Sequence, residues 1–311
     1  MEDAYQWVPF YEALADKLLT YADPRHELFE LIKKVSADQP MMSYFHFERG
    51  DWWGPRNYEI DPFSVMGAMN RGMKDANRAA LANVFANTFE IKLPAPTQFA
   101  GIPVLDNRRS VFAGNDEVWA LFVSAMAAAE AKTYTDEFQS AFERATAVKG
   151  NGLAYITMGL YWIRPNAFMP LDNIYCSFVS SKYGITVPSD HCSGDEYVRF
   201  LHSLRTEMAK ENPNLTFPEI SRSAWIEKVS PHQPNPGVAF PSAAPQQVSA
   251  QSMSAIMNKT PARNIILYGP PGTGKTYSSV LYAVAIVEER PLEAVQAEAS
   301  TPEGFQNVFG R

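Results

Sequence analysis

Cysteine is scarce in this 311-residue sequence, with only Cys176 and Cys192 present. Two cysteines cannot form a disulfide framework, so a small fold stapled by disulfides is excluded and a reducing compartment suits the chain. Long apolar runs are missing as well: no stretch approaches the ~18 uncharged apolar residues that a membrane-crossing helix needs. The first residues, Met1-Glu2-Asp3-Ala4, are acidic and carry no apolar signal-peptide core, so the expected location is cytoplasmic, with no membrane partner. Positive charge is in deficit: 27 Lys and Arg stand against 34 Asp and Glu, a net charge of −7. That excludes a protein that coats nucleic acid through charge alone. Also absent are a Gly-x-Ser-x-Gly elbow, a Ser/His/Asp arrangement and the spacing of a zinc site.

What is present is helical periodicity over the first three quarters of the chain. Trp7, Phe10, Leu14, Leu18 and Tyr21 share one helical face, and Pro24 ends that segment. Glu27 to Val35 forms a second helix. The aromatic stretch Met41 to Ile60 is expected to form short strands around a turn at Gly50-Asp51. Further helices are expected from Asp61-Pro62, with Asp61 as N-cap, over Ala76 to Glu90, and from a cap at Asn115-Asp116 to about Lys132. Others start at Thr135, run from Leu153 to Ile163, open at Gly194-Asp195 and open at Pro218. Residues 1–230 thus read as a mostly α N-terminal domain with a small β element. They hold 22 basic and 29 acidic side chains, whereas residues 231–311 hold 5 of each. Residues 231–251 carry Pro231, Pro234, Pro236, Pro241 and Pro245 and no charge except a protonated His232, the composition of a semi-extended linker.

Residues 252–311 open with a short helix, Ser252 to Lys259, and contain Asn264-Ile-Ile-Leu-Tyr-Gly-Pro-Pro-Gly-Thr-Gly-Lys-Thr-Tyr277. An apolar strand (Ile265, Ile266, Leu267) leads into a glycine-rich loop and then a helix, Ser278 to Glu289: the βα start of an α/β P-loop domain. Gly269, Gly272 and Gly274 let the backbone wrap a phosphate chain, and Pro270 and Pro271 restrict the loop. The amides of Thr273 and Tyr277 lie in the same wrap, ahead of the helix N-terminus. Lys275 reaches the β- and γ-phosphates of ATP or GTP, and the Thr276 hydroxyl is placed to ligate Mg²⁺. Only 36 residues follow Lys275, whereas a full P-loop sheet takes roughly 150 more. Glu288 and Glu289 lie 13 and 14 residues past Lys275 within the first helix, which carries them roughly 20 Å from the phosphates. The 311 residues are therefore expected to bind nucleotide weakly or undetectably and not to turn it over.

Other candidate residues have plainer readings. Glu90-Ile91-Lys92, with Asp75 upstream, matches a nuclease-like Glu-x-Lys, but Glu90 ends a helix and reads as a solvated terminus. His191, Cys192 and Cys176 read as buried or partly exposed side chains, not metal ligands. Trp52, Trp53 and Arg56, together with Arg108 and Arg109, combine aromatics with cations in a way that can stack a base and hold its phosphates; an apolar satellite cluster is the alternative.

The run 264–277 resembles the AAA+ NTPase subunits of the McrB type, from bacterial modified-cytosine restriction systems. Residues 285–309 are similar to the segment such proteins carry before their second core strand. Upstream, Asn57 to Phe63, Asn70-Arg71-Gly72, Gly159 to Pro165 and Leu171-Asp172 are similar to a helical region that precedes the NTPase in many of those relatives. The resemblance implies a ring-forming, Mg²⁺-dependent motor using ATP or GTP, with a nuclease subunit and modified DNA as partners. An acidic Walker B pair, sensors and an arginine finger do not occur in residues 1–311. The reading is a truncated or split product of such a gene, with a stand-alone DNA- or protein-binding adaptor as the alternative.

Overall fold

The computed structural model describes residues 2–45, 47, 59–105, 112–189, 191–229, 281, 284–285, 288 and 292–299. Among them the secondary structure is helical apart from a single parallel bridge between Arg71 and Leu105. The chain divides into two compact units, Met1–Gln233 and Pro234–Arg311.

In the first unit the apolar faces fix the order of elements. α1 (Trp7–Leu19) buries Trp7, Phe10, Tyr11, Leu14 and Leu18 along one stripe. α2 (Arg25–Ala37) packs on a 3-10 helix, Pro40–Phe45. That 3-10 helix stands where short strands were expected. Tyr44, Phe45 and Phe47 pack among themselves and on Phe29, with ring centroids 4.7–5.4 Å apart, so burial and not strand pairing decides their conformation. The rest of that aromatic stretch, residues 46 and 48–58, lies outside the described residues.

α3 (Pro62–Gly67) starts where Asp61 Oδ1 accepts from Ser64 N at 2.8 Å, with Pro62 at the first helical position. α4 (Asp75–Thr88) follows, and then α5 (Asn115–Ala131). The N-cap of α5 is Gly114 at φ 70°, not the expected Asn115, and it gives no side-chain cap. Thr135 caps α6 (Asp136–Ala147). α7 (Gly152–Ile163) has its whole circumference buried from Ile156 to Ile163 and packs on α1, α3, α5 and α6, so it is the centre of the unit. Asp172 caps α8 (Asn173–Tyr183), Ser193 and Glu196 form a capping box on α9 (Gly194–Glu211), and α10 (Phe217–Val229) packs on α8.

In the second unit α11 (Leu292–Ala299) buries Val295 and Ala299 with Leu281 and Ala285. Glu288 N–H donates to Val284 O at 2.9 Å, a helical i to i−4 bond. Its carboxylate therefore follows a helical turn, as the spacing from Lys275 implied, and not a strand. No described helix is long and apolar enough to cross a membrane.

Candidate ligand cleft

Arg78 sits in the first turn of α4 and is 5% exposed. Its guanidinium is held from several sides. Nε donates to Met69 O at 2.9 Å, Nη2 donates to Asn70 Oδ1 at 2.7 Å, and the Phe99 ring centroid lies 4.3 Å from its central carbon. Asn70 is fixed in turn: its Oδ1 also accepts from Tyr11 OH at 2.7 Å, and its Nδ2 donates to Met66 O at 3.0 Å. The Tyr11 hydroxyl also lies against the guanidinium, and the remaining amino group, Nη1, makes only a long ion pair among the described residues. Its nearest carboxylate, Asp75, is 4.0 Å away and largely exposed.

The segment 99–104 forms the facing wall and is pinned to three helices. Gly101 O accepts from Tyr175 OH of α8 at 2.7 Å and from Ser221 Oγ of α10, while Trp162 Nε1 of α7 donates to Pro103 O at 3.0 Å. Gly101 itself has φ 84°, and a Cβ there would lie 2.6 Å from Arg222 Cα, so only glycine fits this approach to α10.

Between these walls lies a cleft of about 410 Å³ lined by Asp75, Arg78, residues 99–100 and 102–104, Met158, residues 172–175 and Trp225. Its volume falls in the ~300–1,000 Å³ range of small-molecule sites. The N-terminal ends of α4 and α8 both open on it. Asp172 Oδ1 accepts from Ile174 N at 2.8 Å and Tyr175 N at 3.3 Å. Burial pushes the Asp172 carboxyl above its usual range, opposed by those amides and by Lys228. The rim is apolar and open, with Val104 43% and Trp225 38% exposed.

The residues singled out in the sequence fall into two groups. The phosphate loop (Gly269, Pro270, Pro271, Gly272, Thr273, Gly274, Lys275, Thr276, Tyr277) and the base-reading candidates (Trp52, Trp53, Arg56, Arg108, Arg109) lie outside the described residues. Of the upstream patches, residues 59–63, 70–72, 159–165 and 171–172 are described, and most of these residues are buried. Gly159 packs so tightly under Phe63 that a Cβ would lie 2.3 Å from the ring, and Asn70 and Asp172 hold backbone as above. Arg71 stacks 3.7 Å over the Tyr44 ring, and Arg164 pairs with Asp16. Glu90 and Asp75 stand at opposite ends of α4, roughly 20 Å apart at 1.5 Å per residue, so they do not meet on one metal ion. Burial, with Glu196 and Glu143 nearby, pushes the Cys192 thiol up to about 12, which keeps it protonated. No cluster of three or more His, Cys, Asp or Glu is placed to hold a metal among the described residues.

Motif and spacing alone do not single out Arg78, Phe99, Tyr175 and Trp225. One signal was available for Arg78: a cation in the first turn of a helix opposes the helix dipole and calls for a reason.

Comparison with known proteins gives one family. The profile described as "Domain of unknown function (DUF8425)" matches residues 7–227. No curated protein and no solved structure matches the chain.

Proposed function

The chain belongs to the family described as a domain of unknown function (DUF8425), and on that premise we propose that its helical unit is the recognition or adaptor part of a protein whose second part binds Mg²⁺–nucleotide. The observation that carries the nucleotide half is the run Gly269-Pro-Pro-Gly-Thr-Gly-Lys275-Thr276 after the apolar residues Ile265, Ile266 and Leu267. Its resemblance to the McrB-type NTPase subunits supports a role in a restriction system directed at 5-methylcytosine, working with a nuclease subunit on DNA and assembling as a homo-oligomer. In that role the loop amides, Lys275 and Thr276 bind and orient the triphosphate, with Mg²⁺ held against its oxygens by the Thr276 hydroxyl.

The helical unit supports a second reading, a binding module that acts without nucleotide. The family profile covers the helical unit, 7–227, and that unit closes its own core around α7.

DNA binding by the 311-residue chain tests the recognition half. With a net charge of −7, wide phosphate contact is disfavoured, so a local patch must do the work. Replacing Arg108 and Arg109 with Ala should weaken binding and lower the slope of log K against log salt by about 1 per lost contact. Trp52→Ala or Trp53→Ala should reduce the preference for methylated over unmodified duplex. No DNA affinity even at low salt would turn the reading to a protein adaptor.

A further inference from the structure

We propose that the cleft of the helical unit is a binding site for a small organic monoanion, with its carboxylate on Nη1 of Arg78 and a flat apolar body lying between segment 99–104 and Trp225.

The argument starts from the charge. A guanidinium that is 5% exposed has lost most of its hydration, and its nearest carboxylate is 4.0 Å away and itself in water. A desolvated cation without a close counter-ion is costly unless something else compensates it. Two of its nitrogens spend their hydrogen bonds on Met69 O and Asn70 Oδ1, and these contacts, with Phe99 behind, fix the plane of the group. Among the described residues Nη1 has only the 4.0 Å ion pair with the exposed Asp75, and Arg78 lines the cleft. An acceptor arriving there meets a donor that is already oriented, so little ordering is lost on binding. An anionic oxygen is the acceptor that gains most.

The surrounding acids set the charge of that anion. Asp75 and Asp172 both line the same cleft, so a phosphate dianion or a nucleic-acid backbone would meet two carboxylates for one guanidinium. A carboxylate, with a single charge, meets about half the repulsion that a dianion would meet from this pair. The walls set the rest of the molecule. Phe99, Ile102, Met158, Ile174 and Tyr175 offer apolar surface, and the Tyr175 hydroxyl is already spent on Gly101 O. Trp225 and Val104 leave an exposed apolar rim that an aromatic body would cover. A volume of about 410 Å³ equals that of about a dozen waters at ~30 Å³ each, room for a fused two-ring body.

The test uses the 311-residue chain and three matched probes, 2-naphthoate, 2-naphthamide and 2-naphthyl phosphate, followed by calorimetry or ligand-observed NMR. Naphthoate should bind saturably with a Kd below ~1 mM. The amide should bind at least ~10-fold more weakly, and the phosphate more weakly than the carboxylate. Trp225→Ala and Val104→Trp change exposed positions and should keep the fold; the first removes a wall and the second fills the mouth, and each should weaken naphthoate at least ~10-fold. Lys275→Ala should leave it unchanged, so the cleft and the phosphate loop stand or fall separately. Four results would each overturn the proposal: no saturable naphthoate binding, equal binding of the amide, tighter binding of the phosphate, or naphthoate binding unaffected by both cleft variants.

Discussion

Asp61 is 1% exposed, and its carboxylate accepts from Ser64 N at 2.8 Å and from Ser64 Oγ, while Ser64 Oγ accepts from Phe112 N at 2.8 Å. One side chain thus caps α3 and, through Ser64, ties down the residues that lead into α5. Burial outweighs these bonds and pushes the carboxyl up to about 6 from 3.8. Folding therefore takes up a proton between those two values, and stability falls as pH rises across that window and is flat above it. A shift from 3.8 to about 6 corresponds to about 3 kcal/mol. Denaturant unfolding at pH 4 and at pH 7 should show this loss in the native chain. In Asp61→Asn the portion due to this residue should vanish, and an unchanged pH slope would refute the assignment. The cap itself was legible, because Asp before Pro announces a helix start; the carboxyl's shift was not, because burial by α5 and α7 comes from residues far along the chain.

At the scale of elements, the periodic helices were legible and their exceptions are instructive. α1 and α7 announce themselves through apolar spacing and an unbroken apolar run. α8 is absent from the expected helices, although Asp172 before Ile174, Tyr175, Phe178 and Val179 carries a cap followed by helical spacing. The aromatics of residues 41–60 favoured strands by composition, but the described part is a 3-10 helix packed on α2, since propensity yields to burial. The end of α4 shows a second override. Ile91 N donates to Ala86 O at 2.8 Å, and Glu90 between them has φ 52°, so a Schellman-type turn places a non-glycine residue in the left-handed region. Glu90→Gly should therefore raise the unfolding free energy by roughly 0.5–1 kcal/mol, read from thermal or denaturant melts. A destabilised Glu90→Gly variant would mean that the Glu90 side chain contributes a contact worth more than the strain.

At the scale of the molecule, composition and periodicity were enough to read a mostly helical body, and the caps Asp61 and Thr135 placed two of its helix starts. The cleft was not legible. Arg78, segment 99–104, Met158, residues 172–175 and Trp225 are brought together by helix packing from five places in the sequence, and no spacing links them. The run 269–276, which we propose as a phosphate loop, is the reverse case: it is contiguous, and its chemistry is read from residue order. The account's central claim is that this loop gives a DUF8425 protein a nucleotide site. Its most direct test is titration of a fluorescent ATP or GTP analogue into the 311-residue chain with Mg²⁺, beside Lys275→Ala. The account predicts saturable, Mg²⁺-dependent binding with a Kd no weaker than ~1 mM, reduced at least ~10-fold in the variant. Absence of saturation, or a Lys275→Ala curve that superimposes on the native one, would contradict it.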